Sequence, residues 1–247
     1  MSFIPYQKWL LRFPVVQKIL FNSRNKKNTE GYLGGMFDYI YEKGIWGSGD
    51  SPNSGAGSSL AASAHYLNFI ASYVVNNNIS QIIDIGCGDF QVGKELQRVT
   101  NVRYLGIDGA TVVINRNNEL YASEKIKFLC VDVIKELPPA TKGLVLIRQV
   151  LQHLSNQDII RMIENLKNTG VEELIVTEHV PLKIFSKPNF DIHTGPETRI
   201  VYGSGVFLDM PPFRMKTEIL YEHAASPHHF LKYPIETKFV ISKVFIQ

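Results

Sequence analysis

The sequence predicts an α/β fold in which a mostly parallel sheet carries helices on both faces. Two observations predict it. From Ile79 onward short apolar strands alternate with helical segments, and three of those strands end in an acid, Asp84, Asp108 and Asp132. Such alternation requires crossovers and therefore parallel strands. In open α/β sheets the carboxyl ends of the strands are where ligands are met.

Taken in order, residues 1 to about 45 read as helical, with a polar break over 22–29 and a second helix through Met36, Phe37, Ile40 and Tyr41. The apolar run 3–21 is interrupted by Pro5, Lys8, Arg12, Pro14 and Lys18. It reads as neither a spanning helix nor a signal peptide, but as a face for the core or for a second copy in a homodimer; weak membrane-surface association is the lesser alternative. Residues 44–59 are rich in Gly, Ser, Pro and Asn and read as a loop whose Ser58-Ser59 end can cap the next helix, which carries Leu60, Ala64, Leu67, Ile70, Ala71 and Val74. Residues 1–60 are thus expected to form a helical cap with a Gly/Ser-rich loop, and 61–247 a single globular unit. Within that unit strands are expected at 81–85, 104–107, 128–131, 143–147 and 173–176. Helices are expected near 92–99, 112–123 and 157–168, the last capped by Asn156. A β-rich run at 238–246 is preceded by another at 218–222.

With 247 residues, 45% of them hydrophobic, the chain can bury one sizeable core. A net charge of +3 without a basic stripe argues against nucleic acid; the cluster Arg24-Asn25-Lys26-Lys27 reads as a solvated segment. Cys87 and Cys130 match no metal spacing and read as buried, reduced packing residues of a cytoplasmic protein.

The chemistry concentrates at Ile82-Ile83-Asp84-Ile85-Gly86-Cys87-Gly88-Asp89. Glycines there let the backbone turn sharply and approach a ligand, and the helix that follows offers free N–H groups. Asp108 lies about twenty residues beyond Gly88, the spacing of a ribose-binding acid, and Asp132 is placed to accept from an adenine amino group. Asp89-Phe90-Gln91 stands where a dinucleotide fingerprint wants its third glycine, so an NAD-dependent sugar epimerase or dehydrogenase is the weaker reading.

Three acid-tipped strands, the first carrying Asp-Ile-Gly-Cys-Gly, resemble the S-adenosylmethionine-dependent methyltransferases of the Rossmann-like class. Trp46-Gly47, the segment Asn53-Ser54-Gly55-Ala56-Gly57-Ser58, the loop Asn189-Phe190-Asp191-Ile192 with Gly195 and Arg199, and Pro212-Phe213 resemble more narrowly a group of stand-alone bacterial methyltransferases associated with surface-polysaccharide (capsule) modification. The resemblance implies a seven-stranded, mostly parallel sheet with a terminal antiparallel strand. It implies S-adenosylmethionine as cofactor, with S-adenosylhomocysteine as product. It implies cofactor contacts from Asp84, Gly86, Cys87, Gly88, Asp108, Asp132, Val133, Arg148 and Ser58, and a saccharide-linked or phosphate- or phosphoramidate-bearing small-molecule acceptor.

Methyl transfer needs alignment and exclusion of water more than catalytic groups, although a hydroxyl acceptor benefits from a base. His153, after the fourth strand, is the first candidate, with Glu178 and His179 at the end of the fifth as alternatives. Trp46, Asp191, His193, Arg199 and Arg214 are expected at the acceptor, the two arginines gripping an anionic group bidentately. His228-His229 is expected on an exposed loop. Asp191, His193 and Asp209 are too scattered to predict a metal. A catalytically silent cofactor-binding partner protein is the non-enzymatic alternative.

Overall fold

The computed structural model describes residues 35–47, 53–137, 143–230 and 233–246. Its strands are β1 (Gln81–Ile85), β2 (Arg103–Asp108), β3 (Ile126–Cys130), β4 (Leu144–Arg148), β5 (Glu173–Pro181), β6 (Lys216–Phe230) and β7 (Tyr233–Phe245). Its α-helices are α1 (Gly35–Glu42), α2 (Leu60–Asn76), α3 (Gln91–Thr100), α4 (Thr111–Tyr121) and α5 (Asn156–Asn168). One seven-stranded sheet runs in the order β3-β2-β1-β4-β5-β7-β6. Strands β1 to β5 are parallel, and β7 pairs antiparallel with both β5 and β6. The chain leaves β1 toward β2 on one side and returns to β4 on the other, so the strand order reverses at β1/β4 and opens a crevice beyond their carboxyl ends.

Period-two alternation divides the sheet into two cores. Ile82, Leu144, Leu146, Ile175 and Ile241 face Tyr66, Leu67, Ile70 and Val74 of α2, Leu96 of α3 and Val113 of α4. Ile83, Ile85, Val145, Ile147, Leu174 and Val176 face Ile159, Met162 and Leu166 of α5 together with Leu151 and Leu154. Helix α1 joins the first core through Tyr41, and its Asp38 Oδ1 accepts from the Val112 N–H at 3.1 Å. The same alternation puts Asp84, Arg148 and His179 on the α2 face of their strands and Glu178 on the α5 face.

Some details differ from the sequence-based expectation. Ser155, not Asn156, caps α5, its hydroxyl accepting from the Asp158 N–H at 3.1 Å. Cys130 is exposed rather than buried: it stands at the tip of the edge strand β3, past the covered Phe128 on the same face. His228 lies within β6 rather than on a loop. The register shift between Ala225 and His228 admits Pro227 into a strand that would otherwise end there. The expectations for residues 1–34, including the basic cluster and the apolar run, lie outside the described residues. No described helix is long and apolar enough to cross a membrane.

Candidate active site

Gly86 and Gly88 have φ of +78° and +54°. A Cβ on Gly86 would stand 2.2 Å from Val150 Cγ2, and one on Gly88 2.3 Å from Ser54 Oγ. Only glycine fits a turn that is both left-handed and this closely approached. The turn is held from below by the Ile107 carbonyl, which accepts from the N–H groups of Gly86 and Cys87 at 2.7 and 3.1 Å. Asp108 then accepts from the Gly88 N–H with Oδ2 at 3.0 Å and from the Ala110 N–H with Oδ1 at 2.9 Å. Burial raises the Asp108 pKa above the ordinary carboxylate value, while the Ala110 and Gly88 N–H groups oppose that shift.

The glycine-rich loop before α2 is clamped onto this turn. The Ser54 N–H donates to Asp89 Oδ2 at 3.0 Å, the Asp89 N–H donates to Ser54 Oγ at 2.8 Å, and the Tyr41 hydroxyl is hydrogen-bonded to Ser54 Oγ at 3.1 Å. Arg148 holds the far end of the loop. Its Nη2 donates to the Gly57 carbonyl at 2.6 Å, with the guanidinium over the Tyr66 ring at 5.1 Å. Beside it, the Tyr104 hydroxyl donates to Asp84 Oδ2 at 2.5 Å; burial pushes the Asp84 carboxyl up to about 6 against the opposing pull of Tyr104 and Arg148.

Between the loop and the strand tips lies a cavity of about 630 Å³, within the range of roughly 300–1,000 Å³ usual for a small-molecule site. Asp84, Gly86, Cys87, Gly88, Asp108, Asp132, Val133, Arg148 and Ser58 all line it, as do Trp46, His153 and His179. Asp132 is half-exposed and paired with Lys135 at 3.0 Å.

The two candidate bases, His153 and His179, differ. The buried His153 ring lies 4.8 Å from that of Trp46, whose Nε1–H donates to the Pro196 carbonyl at 3.3 Å. His153 Nε2 faces the Gln152 amide nitrogen at 3.3 Å, a contact in which the ring nitrogen is the acceptor and its lone pair is taken. His179 Nε2 lies 2.7 Å from Thr237 Oγ1, whose single proton is donated to the Ser226 carbonyl at 3.0 Å. The Thr237 hydroxyl therefore accepts from Nε2–H, which leaves the lone pair of His179 on Nδ1. Burial first, and then the neighbouring His228, Arg148 and His223, pushes the His179 pKa down to about 4; burial does the same to His153.

Five expected site residues do not line the cavity. Glu178 points to the opposite face of β5, buried beneath the turn Leu151–His153, where the N–H groups of Leu151 and Gln152 face its carboxyl. Arg199 is buried and fully engaged. Its Nε donates to the Phe190 carbonyl at 2.9 Å, Nη1 to Leu151 at 3.0 Å, and Nη2 to Leu154 at 2.6 Å and to Asn156 Oδ1 at 2.9 Å. It ties the turn after β4 to the 189–199 loop and presents nothing to an acceptor. Asp191 Oδ1 accepts from the N–H groups of Asn156 and Ile192 at 2.8 and 3.1 Å. His193 and Arg214 are exposed on the outside. Among the described residues no three His, Cys, Asp or Glu side chains are grouped to hold a metal ion.

Sequence reasoning missed Tyr41 and Asp89 at the turn and His65, His223 and Phe239 on the far wall, all of which line the cavity. The chain also contains two Tyr-x-x-x-Lys pairs, Tyr39 with Lys43 and Tyr121 with Lys125. None of these four residues lines the cavity, so they give the NAD-enzyme reading no support.

Residues 82–169 match the family described as "Methyltransferase domain". No curated protein matches the chain in sequence. Among solved structures, the chain is similar to the N-methyltransferase NodS from Bradyrhizobium japonicum WM9 in complex with S-adenosylhomocysteine. That match has 11% identity and a TM-score of 0.53, over 84% of this chain and 97% of that one. Magnesium protoporphyrin IX methyltransferase from Synechocystis PCC 6803 with bound S-adenosylhomocysteine matches at 14% identity and a TM-score of 0.51, over 83% and 96%. The [4+2]-cyclase SpnF matches at 16% identity and a TM-score of 0.52, over 79% and 85%. At these identities the likeness establishes the fold, and the cyclase is a reminder that one fold hosts more than one reaction.

Proposed function

We propose that this chain, an S-adenosylmethionine-dependent methyltransferase of the Rossmann-like class, methylates an oxygen of a small, saccharide-linked acceptor, with His179 as the general base. One observation carries this reading: the acid-tipped strands and His179 line a single cavity. The residues present suit the cofactor. Gly86 and Gly88 line the cavity, and the turn they form presents backbone to it. Each Asp108 oxygen has accepted one N–H and retains capacity for a ribose hydroxyl. Asp132 and Val133, which line the cavity, would hold the adenine, and the 54–58 loop, braced by Arg148, would suit the methionine carboxylate. When bound, S-adenosylmethionine supplies a methyl group already activated on a sulfonium.

The rest falls to this chain's own side chains. His179, its tautomer held by Thr237, takes the acceptor's hydroxyl proton on Nδ1; a neutral imidazole at physiological pH is the competent form. His153, its lone pair occupied and its ring against Trp46, shapes the wall and helps exclude water. Glu178 is removed from direct chemistry by its position. Support for a saccharide-linked acceptor, and for a role in cytoplasmic steps of surface-polysaccharide synthesis, comes from the resemblance at Trp46-Gly47 and 53–58, segments that fold onto this cavity.

The test is S-adenosylhomocysteine release from the full chain supplied with S-adenosylmethionine and a panel of saccharide, sugar-phosphate and amine acceptors. Turnover of a hydroxyl acceptor that falls at least about 100-fold in His179→Gln, with S-adenosylhomocysteine affinity retained, supports the assignment. Cofactor binding without turnover of any acceptor returns the catalytically silent alternative.

A further inference from the structure

The cavity is electrically divided. Its four lining carboxylates, Asp84, Asp89, Asp108 and Asp132, all stand at β1 to β3 and the turn after β1. The far wall is a row of imidazoles laid across the antiparallel end of the sheet. His179 on β5 is paired with Phe239 on β7, and Phe239 with His223 on β6. The rings follow that pairing: His179 stacks on Phe239 at 4.6 Å, and Phe239 lies 5.2 Å from His223. His65, reaching over from α2, stacks on His223 at 4.6 Å, and His228 of β6 completes the lining.

Charges of the other sign are turned away from this wall. Glu178 and Glu222, next to His179 and His223 in their strands, lie on the opposite face by alternation, and Glu222 is paired with Lys238 at 2.6 Å. What faces the row from neighbouring elements is Arg148 of β4, the Tyr221 hydroxyl 3.2 Å from His65 Nδ1, and the Thr237 hydroxyl on His179. His223 Nδ1 donates to the Ala224 carbonyl at 3.0 Å, so its Nε2 becomes a donor only when the ring is protonated. Protonated imidazoles this close oppose one another unless an anion sits between them.

We propose that this wall, His65, His223 and His228 with Arg148 behind them, binds an oxyanion of the acceptor, a phosphoryl or carboxylate group, and that binding takes up protons on these three imidazoles while His179 stays neutral as the base. The inference deepens the methyltransferase reading and rests on it. It also moves anion recognition from Arg199 and Arg214, which do not line the cavity, to residues that do.

The full chain is titrated with sodium sulfate as the tetrahedral probe and sodium acetate as the planar one. Each titration is run with and without S-adenosylhomocysteine, at about pH 6 and about pH 8, a span over which imidazole loses its proton and both probes keep their charge. The sign follows: an anion favours imidazolium, so affinity is greatest at the lower pH and falls as the rings deprotonate. The result expected is binding that weakens about tenfold between the two pH values. It should weaken at least about tenfold again in the His65→Gln/His223→Gln double variant, whose half-exposed sites keep it folded. Sulfate binding more tightly than acetate points to a phosphoryl acceptor, the reverse order to a carboxylate. Absence of binding by either anion, or binding indifferent to the double variant, overturns the proposal. Failure of S-adenosylhomocysteine to bind while sulfate still binds instead overturns the cofactor reading and leaves the anion wall standing.

Discussion

Replacing Gly88 by alanine tests how the turn is built. At φ +54° a Cβ costs roughly 1–2 kcal/mol of left-handed strain. The same Cβ would lie 2.3 Å from Ser54 Oγ, so Ser54 must move and its hydrogen bonds to Tyr41 and Asp89 are lost, at about 1 kcal/mol each. Gly88→Ala should therefore destabilise by about 3–4 kcal/mol, and Ser54→Gly, which removes the same two hydrogen bonds, by about 2 kcal/mol. In the double variant the collision is gone and only the strain adds to the lost bonds. It should cost about 3–4 kcal/mol rather than the roughly 5–6 kcal/mol of independent effects, a coupling of about 2 kcal/mol. Equilibrium denaturation of the four proteins measures the cycle, and S-adenosylhomocysteine titration follows the turn's geometry in parallel. Losses that add to within about 0.5 kcal/mol would refute the reasoning.

Arg199→Met strips four buried backbone carbonyls, those of Phe190, Leu151, Gln152 and Leu154, of a charged donor; a loss of about 3–5 kcal/mol is expected by denaturation, and a fully stable variant would contradict the role given to Arg199. Burial lifts the Glu178 carboxyl to about 8, opposed by Arg199 and the N–H groups of Leu151 and Gln152. The native state then holds a proton that the unfolded chain releases near the ordinary carboxylate value, so this contribution is complete at acid pH and is lost as pH rises toward about 8. Glu178→Gln should flatten that decline in a pH series of denaturation curves, whereas an unchanged slope would mean that the carboxyl is already ionised in the native state. If His179 is the base, its depressed pKa places turnover on a plateau above about pH 5, and a limb centred near neutrality would point to another group.

The parallel half of the fold was legible because its signals are local. Ile82-Ile83-Asp84-Ile85 and Leu144-Val145-Leu146-Ile147 are short apolar runs that are buried on both faces and bounded by turns. What was misread needed tertiary information, with one exception. Glu178 and His179 were both aimed at the cleft, yet neighbours in a strand point to opposite faces, so period two alone excludes one of them. The imidazole wall was hidden because Pro227 reads as a strand breaker; the bulge that accommodates it is visible only from the pairing with β7. Arg199 was expected at the acceptor because a guanidinium fork matches an anionic group bidentately, but here the fork is buried against backbone carbonyls that no sequence pattern announces.

The acid-tipped strands are proposed to hold S-adenosylmethionine. Isothermal titration of S-adenosylmethionine and S-adenosylhomocysteine into the full chain, with NAD as the competing ligand and Asp108→Ala as the control, tests it most directly. Micromolar binding of both is expected, weakened at least about tenfold in the variant, with no heat from NAD. Binding of NAD alone, or of neither, would contradict it.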